Sequence, residues 1–316
     1  MPGDVAGLAV ILLRLAQYSA ASVLMGSALF FVYALPADGP ASATSLRWAK
    51  PLLLLAAVML LVGTLLGLIA QTAVLAGSLR DALTAESLTA VTTQMDLGKA
   101  ALARAVFALM AAAYLTIVPR GRALWLGAGA LGTLACATFG WMGHGGASEG
   151  TSHLPHLGAD IVHALAAALW VGALVAFVGL AASRRQDPER LSATAGALQR
   201  FSPIGIALVA IIAATGLANT WYMVGTDLSA AAHSAYGQLL ALKVILFLGM
   251  LVLAGLHRQR SVPALAARLT NLGPQEDTLG SLRRSLITEA LLGFAVLAAV
   301  SWFGTLEPPT AMTMPM

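Results

Sequence analysis

Charge is scarce in this chain: of its 316 residues only 10% are Asp, Glu, Lys or Arg, while 59% are apolar. Soluble domains carry about a quarter charged residues, so the polar surface a water-soluble fold needs is missing. The single cysteine, Cys136, excludes a disulfide framework and any CxxC metal or redox pair. It lies in an apolar run and reads as a small packing residue. There is no nucleotide-binding loop, nucleophile elbow or HExxH motif. ATP-driven pumping by this chain alone is therefore not expected, and neither is an enzyme, with a redox role the open exception. The first apolar stretch, Val5–Leu35, is too long for a signal-peptide core and lacks a basic leader, so it is expected to remain as a span.

What is present is a succession of apolar runs of about 20 residues, the length that crosses a ~30 Å hydrocarbon slab as a helix. They fall near 5–35, 51–76, 98–118, 123–141, 157–181, 202–223, 237–256 and 285–304. Backbone exposed to lipid must satisfy its own hydrogen bonds, so all eight are expected to be helices. The fold class is an all-α integral membrane protein: one membrane domain over 1–306, then a Met-rich tail at 307–316. Ser78–Asp96 is polar enough to lie outside the bilayer as a short surface helix.

The few basic residues are placed unevenly. With eight spans, the loops 36–50, 119–122, 182–201 and 257–284 share one side and hold thirteen of the eighteen Lys and Arg. An odd number of spans would scatter them. By the positive-inside rule this side is cytoplasmic, which puts both termini in the periplasm of a bacterial inner-membrane protein. The excess, formally +4, gathers in loops and forms no stripe on a folded face, so nucleic acid is not an expected partner.

The two halves, 1–141 and 157–306, echo each other, which predicts two parallel four-helix repeats. Span three opens Gly98 to Arg104 and span seven Gly237 to Lys243, each with a cation six residues after a glycine. Span four ends Trp141-Met-Gly143 and span eight Trp302-Phe-Gly304. Aligning Gly26 with Gly172 sets Arg14 against Asp160 and Gln17 against His163.

Four of the six histidines sit in one segment joining spans four and five: His144, His153, His156 and His163. His156, Asp160 and His163 are spaced i, i+4, i+7 and share a helix face. Imidazole and carboxylate on one face suit copper, zinc, nickel or iron, and the flexible GHGG turn can fold His144 back toward them. His163 lies about 12 Å into the helix from its start near Pro155, where an ionisable group must face protein, water or an ion. The plainer alternative is that Asp160 and His163 only bond neighbouring helices, and that His153 is a solvated loop residue.

Met312, Met314 and Met316 in the tail offer soft thioethers that favour Cu(I); a tail without function is the alternative. Met142 and His233 are further candidate ligands at the same end, although a membrane methionine is more often packing. Arg14, Arg104, Lys243 and Glu289 fall within spans, and structural salt bridges are their expected role. His257, beside Arg258, reads as a surface residue.

The strings GHGG at 143–146, ADIVHALAAALWVGAL at 159–174, RFSPIG at 200–205, ATGLANTWYMVG at 214–225 and YGQLLALKVILF at 236–247 resemble the CopD (PcoD) family of bacterial copper-resistance inner-membrane proteins. The likeness is densest over 140–305 and looser in the first half. It implies an eight-helix protein that handles copper, as Cu(I) or Cu(II), often beside a periplasmic CopC-type carrier. Family position maps His144, Asp160 and His163 onto matched motifs; His153 and His156 rest on spacing alone.

Three functions stay open on these residues. The first is copper uptake or transfer, entering at the extracytoplasmic histidines and methionines. The second is delivery of copper to a membrane oxidase without translocation, and the third a haem or copper redox protein. Copper oxidation state, direction of movement and oligomeric state are not fixed by the sequence.

Overall fold

A computed structural model describes residues 5–36, 42–142, 153–182, 188–224, 234–256, 259 and 278–306. Among these, eight helices are long and apolar enough to cross a membrane: span 1 Val5–Tyr33, span 2 Ala49–Ala76, span 3 Asp96–Ile117, span 4 Arg122–Met142, span 5 His153–Ala181, span 6 Ser192–Val224, span 7 Ala235–Leu256 and span 8 Gly280–Phe303. No strand occurs among the described residues. Leu55, Met59, Val62 and Leu66 form an exposed stripe on span 2, a face only hydrocarbon can solvate. The chain is a multi-pass membrane protein.

Local chemistry sets the helix ends. Span 2 stops at Gly77, whose φ of 79° is left-handed, a conformation a side chain disfavours. Span 3 stops before Pro119, with Val118 extended as a residue preceding proline must be. Pro155 lies in the first turn of span 5, where the missing amide donor is harmless. The helix carrying span 6 begins at Pro188 and runs on through Pro203, so it starts well before residue 202. Between spans 2 and 3 two short helices, Leu79–Ala82 and Ala85–Thr89, are capped by Ser78 and Thr84, which accept from Asp81 N and Ser87 N.

At the arginine-rich end, basic side chains bind the orphaned carbonyls of helix C-termini. Arg200 donates to Ala34 O at 2.9 Å, Arg122 to Val32 O at 3.4 Å and Lys50 to Val118 O at 2.9 Å. Cations there also meet the negative end of the helix dipole. Beneath them Phe30, Phe31, Trp125, Phe177 and Phe201 make an edge-to-face aromatic core between the halves.

The halves meet where span 1 crosses span 5. A Cβ on Gly26 would fall 2.3 Å from Ala168 O, and one on Gly172 would fall 2.3 Å from Ser22 O. Each glycine thus faces the other and the residue one turn before it, a reciprocal contact of small residues that lets two backbones touch. Ser27 Oγ adds a bond to Gly172 O at 2.7 Å. Span 1 widens into a π-helical turn, Val23–Ser27, at this crossing. In the first half spans 2 and 3 pack closely, whereas spans 6 and 7 barely meet.

Candidate metal site

His156, Asp160 and His163 do share one face of span 5, and that face lies against span 6 in an antiparallel ladder. His156 is 2% exposed and stacks on Tyr222 with ring centroids 4.6 Å apart. Asp160 Oδ1 accepts from Asn219 Nδ2 at 2.6 Å, and its other oxygen lies 3.9 Å from His156 Nε2. His163 Nδ1 contacts Thr215 Oγ1 at 2.9 Å. Thr215, Asn219 and Tyr222 repeat the i, i+4, i+7 spacing of their partners in reverse order.

The hydroxyl fixes the histidine tautomer. Thr215 donates its one proton to Ile211 O at 2.6 Å, so its oxygen must accept from His163 Nδ1–H. Nε2 then presents a lone pair, the form of imidazole that binds metals. That lone pair is met by Lys243 Nζ of span 7, which donates to it at 3.4 Å. Tyr236, one turn or more toward the termini on span 7, packs on Phe303 of span 8 at 4.1 Å. Spans 5, 6 and 7 thus contribute two imidazoles, a carboxylate, a hydroxyl, an amide and an ammonium to one face. Among the described residues, however, no three His, Cys, Asp or Glu side chains are grouped so as to hold a metal ion.

Sequence reasoning placed span 6 at 202–223 but named none of its residues in the site. Thr215, Asn219 and Tyr222 carry the supporting contacts, and their matching spacing was the signal available. Lys243 was expected in a salt bridge; it bonds an imidazole at 3.4 Å and also interacts electrostatically with Asp160. Arg14 and Arg104 depart from that expectation. Arg14 donates to Gly304 O at 2.6 Å and Gln71 Oε1 at 3.4 Å. Arg104, 0% exposed, donates to Gln17 Oε1 at 2.9 Å, Thr138 Oγ1 at 2.8 Å, Thr138 O at 3.2 Å and Met142 Sδ at 2.7 Å. Neutral acceptors satisfy a guanidinium as well as a carboxylate does, without desolvating a second charge. Asp96 pairs locally with Lys99 at 2.9 Å.

The remaining expected ligands are distributed unevenly. His153 begins span 5 and is partly exposed. Met142 is held in the first-half cluster by Arg104. His144, His233, His257, Met312, Met314 and Met316 lie outside the described residues. Glu289 of span 8 accepts from Trp170 Nε1 at 3.1 Å, deeper in the second half.

Comparison with known proteins decides the family. Residues 4–154 match the family described as copper resistance protein D-like, N-terminal domain, and residues 195–303 match copper resistance protein D. The chain is 31% identical over 304 residues to copper resistance protein D of Pseudomonas syringae pv. tomato, covering 94% of this chain and 96% of that one. The chain belongs to the copper resistance protein D family. Over 150 residues, 48% of the chain, it is also 30% identical to the copper transport protein CutJ of Bacillus subtilis (strain 168), of which that stretch is 25%. No solved structure matches. In this family member the motif residues Asp160 and Asn219 pair between spans 5 and 6, and His163 meets Lys243 of span 7.

Proposed function

We propose that this chain accepts copper at the His156, Asp160 and His163 face, assisted by His144, and moves it across or within the bacterial inner membrane. The observation that carries the reading is the His163 ring, held at Nδ1 by Thr215 so that the lone pair of Nε2 faces Lys243. A ligand with a second partner fixing its other nitrogen is pre-organised for a metal. The membership of a copper resistance family supplies the cargo. The role proposed is that of a carrier, in which an ion is bound and released and no covalent bond changes.

The unequal basic loops support an orientation with the histidine end and both termini in the periplasm. There a CopC-type carrier is the proposed donor, and the tail methionines are proposed as a first capture point. We also read the chain as a duplicated four-span unit. The reciprocal Gly26 and Gly172 contact supports this, since the same residue of each half meets its counterpart.

The test is to purify the full chain, quantify copper and record the visible spectrum. The H144A/H163A double variant is expected to lose its copper while remaining folded. Copper retained in that variant overturns the site, and a Soret band favours haem. Uptake into proteoliposomes separates transport from delivery: transfer to an acceptor protein without uptake rejects translocation.

A further inference from the structure

At the arginine-rich end of spans 5 to 8 lies a cavity of ≈ 220 Å³ walled mainly by hydrocarbon, including Leu174, Leu198, Ile206, Val209, Leu251 and Leu286. Its polar side chains are Ser202 and the pair Trp170 and Glu289, which bond each other at 3.1 Å. A buried water needs about two to four polar partners, and apolar cavities stay dry. An empty space, in turn, forfeits the dispersion contacts of every side chain that lines it. The filling that suits these walls is therefore hydrocarbon. At the same end of the first half the chain supplies its own, as Phe31, Trp48 and Trp125 pack edge to face and leave a cavity of only ≈ 10 Å³.

The cavity opens sideways. Spans 6 and 7, two of its walls, barely meet, and Ile206 in the wall is 51% exposed, so the space reaches the surface that faces lipid. Along span 6 the wall runs from Leu198 to Val209, about 16 Å at 1.5 Å per residue. That is the depth of one leaflet of a ~30 Å hydrocarbon core. Two exposed arginines stand at its outer limit: Arg200 directly before the wall residue Phe201, and Arg283 one turn before the wall residue Leu286. Arg200 gives one donor to Ala34 O at 2.9 Å. Arg283 bonds none of the described residues. Guanidinium groups at the hydrocarbon boundary suit phosphate oxygens, which they meet two at a time, and basic pockets between spans are where anionic headgroups lodge.

We infer that this cavity holds an acyl chain of an anionic phospholipid, which enters between spans 6 and 7 while its phosphate lies against Arg283 and Arg200. The source is the surrounding bilayer and not free phosphate, because the site consists of an apolar volume as well as two cations. An isoprenoid quinone would fill the same volume, but its uncharged ring has no use for the arginines. The bound chain supplies the contact that spans 6 and 7 lack between them, and takes the place in the second half that aromatic side chains take in the first. This site is independent of the copper reading.

The experiment uses the full chain purified in detergent, with retained lipid identified by mass spectrometry and Tm read after delipidation and after adding back phosphatidylglycerol or phosphatidylethanolamine. The wild type is expected to retain anionic phospholipid, and its Tm to recover with phosphatidylglycerol more than with the zwitterionic lipid, since a ligand of the folded state raises its stability. Gly255 lines the cavity, and a Cβ there meets nothing within 4 Å. Gly255→Leu and Gly255→Phe therefore fill the space from within, and both are expected to expel the lipid and to abolish the response to phosphatidylglycerol. Arg283→Gln leaves the cavity untouched, and is expected to lower the preference for the anionic lipid about fivefold, as one basic group near the headgroups is worth; Arg283→Lys should keep most of it. Lipid retained undiminished in the Gly255 variants overturns the inference. So does equal recovery with the two lipids, no recovery with either, a preference unchanged by Arg283→Gln, or a quinone retained in place of phospholipid. The Arg283 comparison decides even where a Gly255 variant fails to fold.

Discussion

Each half of the molecule buries a cation from its third span against a side chain of its first span, with a threonine of the second span on the same group. In the first half Arg104 and Thr64 converge on Gln17, at 2.9 and 3.3 Å. In the second Lys243 and Thr215 converge on His163, at 3.4 and 2.9 Å. The first knot is closed. Arg104 also lies over the Phe139 ring at 3.8 Å, and its planar fork spends its donors on fixed acceptors. The second knot is made of groups that can exchange partners: an ammonium between an imidazole and the Asp160 carboxylate, an imidazole with one nitrogen pinned, and that carboxylate beside a second imidazole. On the function proposed above, one arrangement serves as a structural lock in the first half and as an ion site in the second, and the difference lies in whether the polar groups can exchange partners.

The severest way to break the comparison is to separate the halves where they touch. Gly172→Val places a side chain where even a Cβ lies 2.3 Å from Ser22 O. Overpacking of this kind against backbone costs about 3 kcal/mol or more. Thermal unfolding of the purified protein is expected to show a large drop in Tm or no folded protein. Ser27→Ala, which removes only the bond to Gly172 O, is expected to cost about 1 kcal/mol.

Next in size is Arg104→Met, which keeps volume but strands Gln17 and Thr138. Loss of a buried charged donor with several partners is expected to cost about 3 kcal/mol. Copper stoichiometry should stay at the wild-type value, since this knot is the structural one. Loss of copper with the fold intact would show that the two knots are not separable.

The eight spans were legible because length and apolarity alone define them, and the charge tally fixed their number. Span 6 was read from residue 202 because only its apolar part gives a membrane signal, while the helix continues through 188–201 on residues of good helix propensity. Within the site, His156, Asp160 and His163 were visible as rare polar groups in an apolar run with helical phase. Thr215 and Asn219 were not, because Thr and Asn in a helix are ordinary until a partner at the right height is known. The roles of Arg14 and Arg104 were misread for a related reason: a sequence shows which charges exist, but amide, hydroxyl, carbonyl and thioether acceptors become partners only through packing.

A smaller effect sharpens the second knot. Thr215→Val keeps the shape of the side chain and removes the acceptor that pins His163. Loss of such a supporting bond typically weakens metal binding 10- to 100-fold, so copper affinity measured by competition with a chelator is expected to fall by about tenfold or more. Thermal stability should change by about 1 kcal/mol. An equal loss of stability with no change in affinity would mean that the ring is held by something other than Thr215.

Lys243 gives the smallest effect and the most direct reading of what the second knot is for. Its ammonium occupies the lone pair of His163 Nε2 that a metal would use, and it stands as a fixed positive charge beside an incoming cation. Lys243→Met removes both the competitor and the repulsion while filling the same space. Even at an effective dielectric constant of about 20, like charges 4 Å apart repel by about 4 kcal/mol, part of which relaxes as the long side chain swings away. Copper affinity is therefore expected to rise about tenfold in Lys243→Met. Lys243→Arg, which keeps the charge, should bind no more tightly than wild type. Transport should move the opposite way from affinity, because an ion held tenfold more firmly is released more slowly when no ammonium returns to displace it. If Lys243→Met instead weakens copper binding, the lysine supports the site as Arg104 supports Gln17, and the two halves are more alike than their residues suggest.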